Sequence, residues 1–388
     1  MKLLFLASGY PSSESPHRGI FNARAVEHLS QLADVTVGHF RFWKPGRKWL
    51  NIEQIDNRMH LVFSLPFIPG NSPFLSYIQI RLWSFWVYNL LKKNRFLGEF
   101  NIIHSVTMEM APIGSYISQK TGAKHYTQAT GSDVYHYVPK WESYWSKNNH
   151  WKLKVEKAIC NSKAIQKELS KVYPDIKTAL CYRGVNLENF KFKLRSESNP
   201  VKFLYIGGFD TRNVNGQSLD IKGGRFLAEV WSAAIQEANG LIELWVAGPG
   251  SNGQFGQQWK QTLTNPNSVR LLGNLKPSEI PEVMASAHVL LLPSQSEGLP
   301  NVVMEAMASG LLVAANSVGG VPELIQSNVN GFLLELYDKA TWKRCLLDIS
   351  KNFSTYLPYT LTALEQIRTT FDGSTYGKRL MAVYQEKN

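Results

Sequence analysis

Two glutamates in the second half of the chain have a type and spacing suited to binding a polar ligand. Glu297 and Glu305 lie in the segment PSQSEGLPNVVMEAMASG, which ends at Gly310. The segment follows an apolar run, His288 to Leu292, and then turns at a glycine and a proline. A proline near a helix start and a glycine just past a helix end predict a helix that begins at Asn301.

The N-terminus of this predicted helix is suited to binding an anion. Its free backbone N–H groups and the positive end of the helix dipole favour a diphosphate. Glu297 lies on the loop before the helix and Glu305 about one turn inside it, so we expect the two carboxylates to contact different parts of a ligand. A glycosidase would instead need both carboxyl groups about 5 to 9.5 Å apart around one bond.

Alternating apolar and amphipathic segments predict the parallel sheets that position these residues. The predicted strands of the first half are 2–7, 35–40, 60–65, 101–104 and 124–129, and those of the second half are 201–206, 242–247, 269–272, 289–292 and 311–315. The pattern predicts an α/β protein of two similar halves. Open α/β sheets bind ligands beyond the carboxyl ends of their strands, so we expect the site in a cleft between the halves.

The segment around the two glutamates resembles the signature of retaining GT-B glycosyltransferases of family 4, the glycosyl transferases group 1. The resemblance implies two Rossmann-like domains that face each other across a cleft. It also implies that Glu297 contacts the transferred sugar, that the loop backbone holds the distal phosphate, and that Glu305 binds the ribose hydroxyls. The loop residues implied in donor binding are Gly298, Leu299, Pro300, Asn301 and Val302.

The resemblance extends to the first half of the chain. The stretch PSSESPHRGIF resembles the glycine loop of the family, which places Gly19 against the donor phosphates and the acceptor. Gly131-Ser132-Asp133 resembles the segment that faces the acceptor, so Asp133 is a candidate catalytic residue. Family members often carry a histidine just before this segment, whereas this chain has Thr130. A threonine donates a hydrogen bond but carries no charge.

In the second half, Lys222 resembles the family's lysine that neutralises the diphosphate. Gly207 and Gly208 follow the predicted strand 201–206 and are candidate donor-binding residues. Many family members carry an arginine beside this glycine, whereas here the nearest one is Arg212. The resemblance therefore leaves open which residue, if any, takes the arginine's role.

Chain length predicts two domains, because 388 residues exceed what one core usually organises. We expect an acceptor-side domain at 1–190, a linker at 191–200 and a donor-binding domain at 201–360. The linker segment KFKLRSESNP is polar, charged and closed by proline. The last segment, 361–388, is predicted to be helical and to return to the first domain.

The chain carries 42 Lys and Arg against 30 Asp and Glu, a net charge of +12, which favours anionic partners. Aromatic and basic residues alternate between Pro73 and Phe100, as in helices that lie on anionic membranes; a core-facing helix is the alternative. No apolar stretch reaches the roughly 18 residues of a membrane span. We expect a cytoplasmic protein, peripheral on the inner face of the membrane.

The chain lacks the sequence patterns of several functional classes. No Gly-x-Gly-x-x-Gly follows a first strand, as a dinucleotide-dependent dehydrogenase would need, and no nucleic-acid-binding module is recognisable. The chain has no Asp-x-Asp pair, and its three cysteines have no metal-binding spacing, so we expect no metal and no cofactor.

The expected reaction is the transfer of a sugar from a UDP- or GDP-sugar to a glycan or lipid-linked acceptor in cell-envelope polysaccharide synthesis, with retention of configuration. Three alternatives remain open: a nucleotide-sugar epimerase, a phosphorylase of the same fold, and a protein that binds sugar nucleotides without catalysis.

Overall fold

A computed structural model describes residues 1–12, 18–68, 72–138, 153–207, 212–214 and 217–386. The chain divides into two compact units. The first unit comprises residues 1–183 and 374–388, and the second comprises residues 184–373. Residues 191–200, predicted as a linker, belong to the second unit, and the last fifteen residues belong to the first.

The first unit contains an eight-stranded sheet. Its strands are β1 (Lys2–Ala7), β2 (Asp34–Phe42), β3 (Leu50–Ile55), β4 (Arg58–Leu65), β5 (Ile102–Val106), β6 (Lys124–Ala129), β7 (Lys157–Cys160) and β8 (Thr178–Leu180). The spatial order is β3-β4-β2-β1-β5-β6-β7-β8, and every pair is parallel except β3 with β4. The strand order reverses between β1 and β5, as in a Rossmann-like sheet.

Helices cover both faces of this sheet. They are α1 (Ile20–Ser30), α2 (Pro73–Lys93), α3 (Ala111–Thr121) and α4 (Lys163–Val172), with short 3-10 and π turns at Met108–Met110 and Asp133–Tyr137. Alternate residues of β1 point to opposite faces, as a strand requires. Leu3 and Phe5 pack against α1, whereas Leu4 and Leu6 pack against α2 and α3.

The second unit contains a six-stranded parallel sheet. Its strands are β9 (Val201–Ile206), β12 (Ile242–Ala247), β13 (Val269–Gly273), β14 (Val289–Leu292), β15 (Leu312–Asn316) and β16 (Phe332–Leu334). A separate antiparallel hairpin pairs β10 (Arg212–Val214) with β11 (Gln217–Leu219). The order of the main sheet is β13-β12-β9-β14-β15-β16, so it reverses between β9 and β14.

The helices of the second unit surround its sheet. They are α5 (Gly224–Ile235), α6 (Gln254–Gln261), α7 (Ile280–Ser286), α8 (Asn301–Ser309), α9 (Val321–Leu324), α10 (Lys339–Asn352) and α11 (Leu357–Thr370), with 3-10 turns at Pro266–Ser268 and Phe353–Tyr356. A further turn at Gly373–Thr375 precedes α12 (Tyr376–Gln385), which packs on the first unit beside α1. Trp231 of α5 and Trp342 of α10 are fully buried against the second sheet.

The predicted α/β class with two parallel sheets is confirmed. Five predicted strands match the structure at both ends, namely β1, β6, β9, β12 and β14. Strands β3, β7, β8, β10, β11 and β16, which are short or lie at a sheet edge, were not predicted. Within the described residues, no helix combines the length and the apolar composition needed to cross a bilayer.

Candidate functional site

The sheet of the second unit has one switch point, between β9 and β14. Crossover connections leave these neighbouring strands in opposite directions, which opens a crevice at their carboxyl ends, where α/β sheets bind ligands. The loop after β14 carries Glu297, and Lys222 lies on the chain that connects β9 to α5. Two charged residues that are 75 positions apart in sequence therefore come from the two strands that border the crevice.

The loop after β14 leads directly into α8. This helix begins at Asn301 and ends at Ser309, followed by Gly310 in the left-handed conformation, as the sequence predicted. Pro300 at the N-cap offers no side-chain hydrogen bond, so the first N–H groups of α8 are not capped by it. The backbone of the loop is held by a bond from the N–H of Gly320 to the carbonyl of Gly298. Leu299 and Pro300 are buried.

The loop before α5 is held by Asp220. The carboxylate of Asp220 accepts hydrogen bonds from the backbone N–H groups of Gly224 at 2.8 Å and Arg225 at 2.7 Å. These bonds cap the first turn of α5. Gly223 has a φ of 77°, and a Cβ there would lie 2.1 Å from the carbonyl oxygen of Pro293. Only glycine permits this close approach, and it brings the loop that carries Lys222 against the end of β14.

The two loops meet in an ion pair. Lys222 Nζ lies 2.8 Å from Glu297 Oε1. The Glu297 side chain is 11% exposed, whereas that of Lys222 is 47% exposed. An ion pair with one half-exposed partner contributes about 0 to 1 kcal/mol to folding. The pair is therefore better suited to orienting two groups at the edge of the sheet than to stabilising the unit.

Glu305 lies in the second turn of α8 and is buried, with 9% exposure. Val302, in the first turn, is half-buried. Gly207 follows β9, and its N–H donates to the carbonyl of Ala247 at 3.2 Å. Gly208 lies outside the described residues. Arg212 is the first residue of β10.

Sequence analysis missed two residues that shape this edge. Asp220 was available as a signal, because an aspartate close to the start of a helix can accept hydrogen bonds from the first N–H groups of the helix. No sequence signal pointed to Ser294. Its hydroxyl is buried without a hydrogen-bond partner in the described part of the chain. The carbonyl of Ser294 accepts from Asn316 Nδ2 at 3.1 Å, so the backbone here is fixed while the hydroxyl is available.

In the first unit, Asp133 organises the loop that follows β6. Its carboxylate accepts from the N–H groups of Met108, Thr130 and Gly131 at 2.8 to 3.0 Å, and from the Thr130 hydroxyl at 3.1 Å. Asp133 is 1% exposed. The structure therefore shows Asp133 and Thr130 bonded to each other, joining the loops after β5 and β6. A direct contact of either residue with a substrate stays a prediction.

Glu109 is a second carboxyl beside Asp133, and sequence analysis missed it. Burial, together with the negative charge of Asp133, raises the pKa of Glu109 from 4.5 to about 7. Its loop begins at Thr107, whose φ of 72° is rare for a β-branched residue. The carboxyl is nevertheless only partly buried. No sequence pattern pointed to Glu109, since its environment comes from the packing of separate loops.

Gly19 precedes α1 and closes the loop after β1. It has a φ of 73°, and a Cβ there would lie 2.3 Å from the carbonyl oxygen of Gly9. The Asn22 side chain donates to the same carbonyl at 2.8 Å. The loop is therefore tightly closed at Gly19; residues 13–17 of the predicted glycine loop lie outside the described residues.

Two histidines of the first sheet, in β5 and β6, are packing residues. His104 stacks on Phe5, with 5.0 Å between ring centroids, and its Nδ1 lies 2.7 Å from the Tyr384 hydroxyl. His125 lies between the Ser105 hydroxyl and the Lys154 carbonyl, both at 2.8 Å. Burial lowers the pKa of His104 to about 3 and that of His125 to about 4.

Comparison with known proteins assigns the second unit. Residues 200–352 match the family described as glycosyl transferases group 1. This segment is a group 1 glycosyltransferase domain. It contains Lys222, Glu297 and Glu305, so the ion pair at the switch point lies inside the family's domain. Among the described residues, no cluster of three or more His, Cys, Asp or Glu side chains could hold a metal ion.

Curated relatives cover only part of the chain. The amylovoran biosynthesis glycosyltransferase AmsK of Erwinia amylovora is 29% identical over 199 residues, which are 49% of this chain and 46% of that protein. A D-inositol 3-phosphate glycosyltransferase of Streptomyces scabiei is 33% identical over 212 residues, or 50% and 46%. The chain thus spans about half the length of the curated relatives it matches.

Solved structures match nearly the whole chain and show its fold. HepE of Anabaena, in complex with UDP, aligns over 99% of both chains with a TM-score of 0.71 and 17% identity. Sucrose-phosphate synthase of Thermosynechococcus elongatus aligns over 99% of this chain and 98% of its own, with a TM-score of 0.75 and 16% identity. The chain has the GT-B fold.

Proposed function

We propose that this protein is a retaining glycosyltransferase that moves a sugar from a nucleotide-diphosphate sugar to a glycan or lipid-linked acceptor. The observation that carries the proposal is the Lys222–Glu297 ion pair at the switch point of a group 1 glycosyltransferase domain. A cation for the phosphates and a carboxylate for the sugar lie 2.8 Å apart at the edge where α/β sheets bind ligands.

Lys222 and the N-terminus of α8 are the groups proposed to bind the diphosphate. An ammonium group has three hydrogen-bond donors, and Glu297 uses one of them. The remaining donors of the half-exposed Lys222 can bind phosphate oxygens without breaking the ion pair. The first N–H groups of α8, at Asn301 and Val302, add the positive end of a helix dipole. Both groups stabilise negative charge that grows as the nucleoside diphosphate leaves.

Glu297 is then placed to act on the sugar. Its carboxylate is held by Lys222 at 2.8 Å, which orients it for a centre that develops positive charge. In the proposed reaction, the bond between the anomeric carbon and the phosphate oxygen breaks and the acceptor oxygen bonds to the same face of that carbon. The acceptor proton passes to a phosphate oxygen of the leaving group. No protein nucleophile and no metal ion enters this sequence of steps.

UDP is the donor nucleotide that the comparisons favour, because HepE was crystallised with UDP and with UDP-glucose; GDP is the alternative. AmsK is named for the biosynthesis of amylovoran, and other relatives are named for transfer to inositol phosphate. For this chain we propose a glycan or lipid-linked acceptor in cell-envelope polysaccharide synthesis. We further propose that the protein acts in the cytoplasm, at the inner face of the membrane.

A binding and turnover screen of UDP-, GDP- and ADP-sugars tests the proposal, with and without EDTA. We expect one nucleotide sugar to bind and to be hydrolysed slowly without acceptor, with the released sugar keeping its anomeric configuration and with no effect of EDTA. Failure of every nucleotide sugar to bind would refute the donor site.

The same screen separates the alternatives. An altered sugar on an intact donor would indicate an epimerase, and turnover that requires inorganic phosphate would indicate a phosphorylase. Binding without turnover, in the presence of glycan and lipid-linked acceptors, would indicate a protein that binds sugar nucleotides without catalysis.

A further inference from the structure

The helix α2 has two faces of different character. Its buried face is formed by Ile80, Ser84, Val87 and Leu91, which recur every three or four residues and pack into the core of the first unit. Its opposite face is exposed and mixes large apolar with cationic side chains. The exposed residues on that face are Phe74, Arg81, Leu82, Phe85, Lys92 and Lys93.

The segment that follows β2 extends this exposed face with aromatic side chains. Trp43 stacks on Trp49 with 5.1 Å between ring centroids, and Trp49 lies 5.2 Å from Trp86 of α2. Phe42 lies 4.9 Å from Phe67, which follows β4. The rings of three separate segments thus form two clusters, Trp43–Trp49–Trp86 and Phe42–Phe67. We call these clusters, together with the exposed Phe85 next to Trp86 in α2, the aromatic surface: Phe42, Trp43, Trp49, Phe67, Phe85 and Trp86.

These rings are too exposed to be explained by folding. Phe42, Phe67 and Phe85 are 50%, 54% and 53% exposed, and Trp49 is 42% exposed. Single exposed apolar residues are ordinary, but several large exposed rings on neighbouring segments of one unit mark a surface that binds a partner. Trp83, by contrast, is half-buried and donates from Nε1 to the Pro66 carbonyl at 2.8 Å, so it belongs to the fold.

The charge around the aromatic surface identifies its partner. Residues 41–95 contain nine Lys and Arg but only two Asp and Glu, so these 55 residues carry +7 of the chain's net +12. Lys44 and Lys48 are exposed between the two stacked tryptophans, and Lys92 and Lys93 are exposed at the end of α2. Within the described residues, none of these four lysines forms an ion pair.

We propose that the first unit docks on an anionic lipid bilayer through the aromatic surface and its flanking lysines. Rings at the level of the headgroups and cations that meet acidic lipid are the two contributions that hold a protein on a membrane without a span. A second copy of the chain fits less well, because two surfaces of this charge repel each other. The inference goes beyond the proposed transfer reaction and places the first unit at the membrane.

Co-sedimentation of the full chain with vesicles tests the proposal. We expect binding to vesicles of phosphatidylcholine with 30% phosphatidylglycerol at 0.1 M salt, release at 1 M salt, where the Debye length is about 3 Å, and no binding to phosphatidylcholine alone. Each cation near an acidic surface contributes about fivefold in partitioning. Changing Lys44, Lys48, Lys92 and Lys93 to Gln should therefore lower the partition coefficient at least tenfold.

A matched variant separates local charge from net charge. Lys167, Lys177, Lys351 and Lys378 are also exposed, so their replacement by Gln removes the same total charge elsewhere. We expect this control to keep most of the binding. A second variant, with Phe42, Phe67 and Phe85 changed to Ser, should lose binding at least tenfold while keeping all cations. Circular dichroism and the midpoint of urea unfolding confirm that the variants are folded.

Three results would overturn the proposal. They are wild-type protein that stays in solution with anionic vesicles at 0.1 M salt, equal loss of binding in the two lysine variants, and unchanged binding of the Phe variant. Concentration-dependent dimerisation that the Phe variant abolishes would instead assign the surface to a second copy. Vesicle binding requires no sugar nucleotide, so a failed donor screen leaves this result unaffected.

Discussion

The two units end their central strands in loops that bear carboxylates, and the two loops use them differently. In the second unit, Glu297 pairs with the half-exposed Lys222 across the switch point. In the first unit, Asp133 is 1% exposed and accepts four hydrogen bonds from its own loops, while Glu109 beside it has a pKa raised to about 7.

The difference separates a carboxylate that we propose to face a ligand from a carboxylate that holds a loop. A carboxylate whose lone pairs are taken by buried N–H donors is committed to structure, because removing it leaves those donors unpaired. A carboxylate with one flexible, solvent-exposed cation can exchange or share that partner when an anion arrives. The comparison predicts that substitutions in the loop of Glu297 lower the rate of sugar transfer. It predicts that substitutions in the loop of Asp133 lower the free energy of unfolding.

Glu297→Gln should give the largest effect. It keeps the shape of the side chain but removes the charge that faces the sugar, so sugar transfer should fall by about a thousandfold or below detection. The midpoint of urea unfolding should stay unchanged, because the ion pair contributes little to stability. Turnover of the nucleotide sugar found in the donor screen is the measurement.

Glu335→Gln is the control for that experiment, since Glu335 is an exposed glutamate of the same unit that follows β16. Normal turnover in a folded Glu297→Gln protein would remove Glu297 from the proposed mechanism and break the contrast between the loops.

Asp133→Ala should mainly lower stability. It leaves the N–H groups of Met108, Thr130 and Gly131 without their acceptor, and we expect the free energy of unfolding to fall by about 2 to 4 kcal/mol. Thr130→Val removes only the hydroxyl contact and should cost about 1 kcal/mol. Urea unfolding of both variants measures these losses. An Asp133→Ala protein as stable as wild type but inactive would instead place Asp133 on the substrate.

Lys222→Ala should weaken donor binding by about ten- to a hundredfold, which corresponds to about 1.5 to 3 kcal/mol for hydrogen bonds to a charged group. Calorimetry should show the loss for the nucleoside diphosphate and its sugar, and none for the bare nucleoside. Lys276→Ala, at another exposed lysine of the second unit, is the matched control. An equal loss for the nucleoside would make Lys222 a structural residue.

Two strands with a continuous apolar run, β1 and β14, were predicted to the residue, whereas the three-dimensional structure of the loops could not be predicted. The run LLFLA of β1 and the run VLLL of β14 are fully buried, and burial on both faces is what such runs indicate. Strand β3 alternates exposed and half-buried residues at a sheet edge, and β8 and β16 have three residues each, so none of them carries a comparable signal.

The candidate site was predictable where residues are near in sequence. The bounds of α8, with Glu297 before it and Glu305 inside it, came from proline, glycine and apolar spacing. The contact of Lys222 with Glu297 joins residues 75 positions apart, and its geometry depends on the approach of Gly223 to Pro293. The environment of Glu109 depends on Asp133, on another loop. Neither the Lys222–Glu297 contact nor the proximity of Glu109 to Asp133 can be predicted from residues that are near in sequence.

Glu109→Gln should have little effect on stability at low pH and a larger one at high pH, and this dependence sharpens the contrast between the loops. A carboxyl whose pKa is raised from 4.5 to about 7 in the folded state holds its proton more tightly there than in the unfolded chain. Below pH 4.5 the carboxyl is protonated in both the folded and the unfolded state, so it does not lower the free energy of unfolding. As pH rises from 4.5 to 7, the unfolded chain releases the proton first, so the free energy of unfolding falls; above 7 the loss is complete.

Glutamine cannot ionise, so the variant should match the wild type near pH 4.5 and exceed its free energy of unfolding by about 1 to 3 kcal/mol at pH 8, a range that allows for partial solvation of the carboxyl. Urea unfolding at pH 4.5, 6 and 8 measures the difference, with Glu27→Gln on the exposed side of α1 as control. A stability gain that is the same at all three pH values would show that Glu109 is not titrating, and the contrast between the two loops would then have no pH-dependent part.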